Sequence, residues 1–474
     1  MPLVHFSNHP ATVLIKRTDA PGIFEGISIK DAMKMTCPSL FTGFSPPWWL
    51  YNGHLQTLYC LLGNFATVDR MWYARTYLHL TDGGTLGIDF APSDHFKLRN
   101  DTPIVIIQHG LTGGSYEAYV RAVLSRACAP ITDGGLGYRA AVINFRGCAG
   151  VPVTSPRLYT AGDTDDTYVA LLHIAEAYPD APLLGVGFSL GANILTRYLA
   201  EEGVHSKVNS ACALACPWDL HHNNEGGNSL LSSFIGRHVY AKGMGSNILK
   251  LLRYHSAPFM KSSEDSVKQA AQKALKLKGP TLEMYDETFT RIAGGTGSPF
   301  PFETVRAYYN WSSSHHVIHK ITVPFLAINS SDDPIVRYVP TDCGGNGLVV
   351  MILTPGGGHL GWFHQGEYGV ERWTTKPVLE WLKFMGDDIL HEKTPRCLDT
   401  WVDEDGFLRG RSRPRLGCKV IRGSYVIDGN AGEDGMVQQV PTLTLLDIIC
   451  GEEKMTGDSV GSVKRGSSVE LSSL

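Results

Sequence analysis

Three runs, Ile104-Val105-Ile106-Ile107, Ala140-Ala141-Val142-Ile143 and Leu183-Leu184-Gly185-Val186, carry no polar side chain on either face. A strand that is apolar on both faces belongs inside a sheet covered on two sides, which is the setting of parallel strands. Each run ends in residues suited to a turn: Gln108-His109-Gly110, Asn144-Phe145-Arg146-Gly147 and Gly187-Phe188-Ser189. Tyr116–Ala127 and Thr164–Ala177, which separate them, have helical texture. Strand, helix, strand at this spacing predicts βαβ units and a mostly parallel α/β sheet flanked by helices. Ahead of them, Tyr73–His79 and Thr85–Phe90 flank Asp82-Gly83-Gly84, a hairpin signal.

The rhythm stops after Val208–Leu214. Residues 217–316 are helical in texture, as in Ser263–Leu277, before apolar strands resume at Val323–Ile328 and Gly347–Leu353. Thr375–Phe384 closes the pattern as a helix, with Pro377 tolerated in its first turn. An insertion between two stretches of one sheet predicts a helical cap on an α/β core. The expected organisation is an N-terminal extension at 1–72, core at 73–216, cap at 217–316, core again at 317–390 and a C-terminal extension at 391–474. The Ser/Gly-rich end, Met455–Leu474, reads as disordered.

Composition narrows the function classes. Lys and Arg number 42 against 46 Asp and Glu, so bulk charge gives no reason to expect nucleic acid as a partner. The chain is 43% hydrophobic and 19% charged, which excludes global disorder, collagen and coiled coil. Ten cysteines are scattered singly. Only Cys212 and Cys216 are close, with no second pair to complete a zinc site, so the thiols read as free ones in a reducing compartment. The N-terminus lacks the features of a signal peptide, and no apolar run reaches the ~18 residues of a membrane span. A cytoplasmic protein is expected, with peripheral contact at a membrane or lipid-droplet surface left open.

Gly-x-Ser-x-Gly occurs at Gly187–Gly191 and at Gly457–Gly461. A nucleophilic serine in this motif sits on a sharp turn between a buried strand and a helix. Ser189 has both flanks, since Ile194, Leu195, Tyr198 and Leu199 mark one face of a following helix. Ser459 follows a polar stretch, and no Asp or His lies beyond Gly461. A serine nucleophile needs a base and an orienting carboxylate, in the order Ser, Asp, His for this topology. Asp332-Asp333-Pro334 ends one late strand, and His359 follows the last. Either aspartate can serve; Asp333 is preferred because the turn proline follows it directly. His364 is the fallback for His359. The developing oxyanion needs backbone donors. Leu190 N–H, next to the nucleophile, is one candidate. Leu111 N–H, in the loop His109–Gly114, is the other. That loop lacks the spacing of a phosphate-binding loop.

These pieces resemble the YheT-like branch of the α/β hydrolases. That branch takes in plant embryogenesis-associated proteins, yeast medium-chain fatty acid ethyl ester synthase/esterases and animal α/β-hydrolase domain-containing lipases. The resemblance is carried by Asn52–Leu58, His109-Gly110-Leu111, Asn144–Gly147, Gly162–Asp166, Gly187–Gly191, Asp332-Asp333-Pro334 and Gly357–Gly361, and spans residues 45–390. Asn52–Leu58 is its most branch-specific segment. It implies the α/β-hydrolase fold and a Ser189–Asp333–His359 triad acting on lipid-like carboxylic esters, with no metal or organic cofactor. Animal members carry an N-terminal anchor; this sequence shows no such span. An acyltransferase passing the acyl group to an alcohol is the alternative function. No histidine here is followed by Asp five positions on, a pattern of some lipid acyltransferases. A non-catalytic binding module would require a broken triad, and none is seen.

Overall fold

The apolar runs form the middle of one sheet. The computed structural model describes residues 1–17, 22–222, 236–295, 297–366, 369–391 and 400–439. In it Ile104–Gln108, Arg139–Asn144 and Leu183–Phe188 are strands buried at every residue. Twelve strands lie in the order Leu3–Phe6, Val349–Thr354, Phe325–Ser330, Ser210–Leu214, Leu183–Phe188, Ile104–Gln108, Arg139–Asn144, Thr85–Ala91, Trp72–Leu80, Gly417–Asp428, Leu408–Gly410 and Thr400–Val402. The stretch from Val349–Thr354 to Arg139–Asn144 is parallel throughout. The strands outside it pair antiparallel. Trp72–Leu80 and Thr85–Ala91 are the two arms of the hairpin that the Asp82-Gly83-Gly84 turn signals.

Successive side chains of a strand point to opposite faces, so each buried strand supplies two cores. Val105 and Ile107 pack with Val120 and Leu124 of helix Ala118–Ala127 and with Trp381 and Leu382 of helix Thr375–Lys383. Ile104 and Ile106 pack with Leu171 and Ile174 of helix Asp165–Ala177 and with Leu195 and Leu199 of helix Leu190–Glu202. Full burial of each such aliphatic side chain contributes about 1.5–3 kcal/mol.

Two segments that the sequence sets apart as extensions add strands at the two ends of the sheet. Leu3–Phe6 pairs with Val349–Thr354. Gly417–Asp428 pairs with Trp72–Leu80, with register shifts on either side of Arg422. Arg413 ties this region to the helices, donating to Asp165 at 2.9 Å and to Glu202 at 2.8 Å. Met455–Leu474 lies outside the described residues.

The insertion leaves the sheet after Ser210–Leu214 and returns at Phe325–Ser330. Its helices Lys242–Tyr254 and Asp265–Leu275 share an apolar cluster of their own, including Leu249, Leu251, Leu252, Phe259, Ala271 and Phe289. Residues 223–235 of the insertion, with Leu230, Leu231, Phe234 and Ile235, lie outside the described residues. The cluster extends onto Phe145 and Ile194 and packs against Leu111 and Leu190. The helical insertion therefore sits over the carboxyl ends of the central strands.

Candidate active site

From Ile104–Gln108 the chain steps to Arg139–Asn144 on one side, then crosses to Leu183–Phe188 on the other. At such a reversal the loops leaving two neighbouring strands diverge and open a crevice. Ser189 stands there with φ 50° and ψ −119°, a conformation costing on the order of 1–3 kcal/mol for a residue with a Cβ. Its N–H donates to the Leu214 carbonyl at 2.9 Å. The tight turn requires glycine at 191, where a Cβ would overlap the Gln108 and His109 carbonyls. Ser189 also caps helix Leu190–Glu202, so its hydroxyl lies at the positive end of a helix dipole.

His359 Nε2 lies 2.8 Å from Ser189 Oγ, and its Nδ1 lies 2.9 Å from Asp333 Oδ2. The other Asp333 oxygen accepts the N–H groups of Ile335 and Val336 at 2.7 and 2.9 Å, which fixes the carboxylate. With Nδ1–H directed at Asp333, the Nε2 lone pair faces the serine hydroxyl. Asp332 turns elsewhere. Its Oδ1 accepts from the Ser330 hydroxyl at 2.6 Å and from Gly358 N–H at 3.0 Å, bracing the acid loop against the histidine loop. His364 lies on the hairpin strand Phe363–Gly366, opposite Glu371. Ser459 is outside the described residues.

The loop after Ile104–Gln108 is held at several points. Gly110 N–H donates to the Tyr119 hydroxyl and Thr112 N–H to the Tyr159 hydroxyl, each at 3.0 Å. His109 Nδ1 bonds the Gly110 carbonyl at 2.8 Å, and its Nε2 accepts Phe145 N–H at 3.2 Å. Burial pushes the His109 imidazole down to about 4, so it is neutral and suited to both roles. Behind the loop, Ser115 N–H donates to Asn144 at 3.0 Å and its hydroxyl to Asp89. Asp89 in turn pairs with the buried Arg75. Among the described residues, the N–H groups of Leu111 and Leu190 have no hydrogen-bond partner.

A further element has no role legible in the sequence. Helix Gly53–Leu62 is capped by Asn52, whose side chain accepts Leu55 N–H at 3.0 Å. Thr57 Oγ1 accepts His359 N–H at 2.9 Å. The Gln56 amide accepts Phe363 N–H at 2.7 Å and donates to the Phe363 and Leu50 carbonyls at 3.0 Å. Gly53 approaches so closely that a Cβ would overlap the Asp332 carbonyl. Arg372 completes the hold by donating to the Leu360 and Gly361 carbonyls. The signal in the sequence is the segment Asn52–Leu58 itself; its partners lie some 300 residues away.

Comparison with known proteins identifies the family. The family profile for the alpha/beta hydrolase fold matches residues 103–344. The chain belongs to the α/β hydrolase family. This α/β hydrolase is similar to the monoacylglycerol lipase of Saccharomyces cerevisiae, at 30% identity over 77% of this chain and 86% of the relative. It is 30% identical to the embryogenesis-associated protein EMB8 of Picea glauca, over 73% of this chain and 74% of that one. It is 26% identical to the phospholipase ABHD3 of Bos taurus, over 72% of this chain and 80% of that one. Ser189 and Asp333 fall inside the family match and His359 beyond it. No helix among the described residues is long and apolar enough to cross a membrane.

Proposed function

We propose that this α/β hydrolase cleaves lipid-like, medium-chain carboxylic esters through an acyl-enzyme on Ser189. Two of the relatives it resembles are named as a monoacylglycerol lipase and a phospholipase, enzymes that cleave lipid esters. The observation that carries the residue assignment is the hydrogen-bonded line Asp333–His359–Ser189 on a strained strand-to-helix turn. Ser189 Oγ attacks the acyl carbon as His359 Nε2 takes its proton. Asp333 holds Nδ1–H and stabilises the imidazolium. The N–H groups of Leu111 and Leu190, otherwise unpartnered, receive the oxyanion. His359 then delivers the proton to the departing alcohol. Water, activated by the same imidazole, releases the acid. Peripheral docking on a membrane or lipid-droplet surface belongs to the same reading.

The insertion at 217–316 is assigned to substrate choice. Its apolar cluster packs on Leu111 and Leu190, the two oxyanion residues, so an acyl chain leaving the site meets cap side chains. Each buried methylene is worth about 0.8 kcal/mol, so kcat/KM rises with acyl length until the channel is full. An ester panel run on wild type and Ser189→Ala tests this. The expected profile rises over short chains, peaks at medium length and is absent in Ser189→Ala. Met260→Trp or Ile292→Trp, at half-buried positions of the cap cluster, moves the peak to shorter chains. A flat profile, or an acetyl optimum indifferent to the cap substitutions, contradicts the assignment.

A further inference from the structure

Between Met35 and Val68 there is no Asp, Glu, Lys or Arg, in a chain that is 19% charged. A segment of that kind is ordinarily buried, yet this one places large apolar side chains in water. Trp48 is 86% exposed, Tyr51 70%, Leu61 66% and Leu62 80%. They stand on an ordered element. Asn52 caps the helix, Gln56 clamps it to Phe363, and Trp49 packs edge-on against Tyr59 with ring centroids 5.0 Å apart. The same helix holds the histidine loop, through Thr57 to His359 N–H. Exposed apolar side chains on a segment with no charged residue of its own are thus fixed rigidly beside the candidate catalytic centre.

We propose that the exposed side chains of Trp48 and Tyr51, just ahead of this helix, and of Leu61 and Leu62, at its end, dock this hydrolase onto the surface of a zwitterionic or uncharged lipid aggregate. The inference rests on the proposed function and names the surface through which the site meets its esters. The chemistry selects the occupant. Trp and Tyr rings are stable at the headgroup level with Leu side chains below them. Attraction to anionic lipid requires clustered Lys or Arg, which this segment lacks. Docking through Gly53–Leu62 would set the histidine loop against the lipid surface and shorten the path of an ester into the crevice.

The test uses the full chain and phosphatidylcholine vesicles. Wild type is expected to sediment with them, with little change between low and high salt, because no charge pairing is involved. Trp48→Ser combined with Leu62→Ser is expected to lower partitioning about tenfold or more. Its turnover of a short, dissolved ester stays at the wild-type level, while turnover of an ester carried in the vesicles falls. Ser189→Ala binds vesicles as wild type does, so binding without turnover in any form would sink the proposed function and leave the docking surface standing. Quenching of wild-type tryptophan fluorescence by phosphatidylcholine brominated on its acyl chains is expected, and requires no variant to fold. Absent quenching, binding only to anionic vesicles at low salt, or undiminished binding by the double variant would overturn the proposal. So would a lipid-free dimer that the double variant splits into monomers, since a second copy would then be the occupant.

Discussion

Two adjacent aspartates have opposite duties. Asp333 is directed at His359 Nδ1, whereas Asp332 accepts Gly358 N–H and the Ser330 hydroxyl. The first contact sets which imidazole nitrogen carries the proton; the second sets where the loop carrying the imidazole lies. Asp333→Asn is therefore expected to lower kcat by about 10⁴, since an amide at that place favours the wrong tautomer. Asp332→Asn leaves an amide oxygen able to accept Gly358 N–H, and its cost is expected to be well under a tenth of that factor. Steady-state kinetics on one ester checks both, and the reverse ranking would give the orienting role to Asp332.

At the scale of elements, the loop carrying Leu111 is anchored from behind by a fully buried ion pair. Arg75 on Trp72–Leu80 meets Asp89 on Thr85–Ala91, and Asp89 also accepts from Asn144 and from the Ser115 hydroxyl. Removing one partner of a buried pair strands the other charge, so Asp89→Ala is expected to cost about 3–5 kcal/mol in denaturant-unfolding experiments. A cost below about 1 kcal/mol would show that the network is not an anchor. The strands of the core are legible in the sequence because each carries an unbroken apolar run and ends in turn chemistry. Ser189 is legible from its flanks, and His359 and Asp333 from their places after late strands. Gly417–Asp428 escapes notice because its register slips twice around Arg422, which breaks the alternation a half-buried strand displays. Leu3–Phe6 is only four residues long, too short to carry a period. The duty of Thr57 is invisible because its partner, the N–H of His359, is remote in the chain. Distant contacts of this kind leave a motif but no periodicity.

At the scale of the whole molecule, the loops of the candidate site share a titrating neighbour. Burial, opposed by Arg372 and Arg121 and aided by Glu433, pushes the Glu117 carboxyl from 4.5 up to about 7. An acid whose pKa is raised on folding binds more protons in the native than in the unfolded state. Its contribution is therefore lost as pH climbs from about 4.5 to about 7 and is flat above. Glu117→Gln removes this loss. Its stability relative to wild type is expected to rise by roughly 2–3 kcal/mol between pH 5 and pH 8 in paired thermal scans. A difference that stays constant over that range would mean that Glu117 titrates as an ordinary surface carboxylate. The central claim is narrower than stability: one serine, activated by one histidine, forms the covalent intermediate. Fluorophosphonate labelling followed by peptide mapping measures this most directly. Wild type is expected to carry the label on Ser189, Ser189→Ala to carry none, and His359→Ala to label far more slowly. Undiminished labelling of Ser189→Ala would contradict the account.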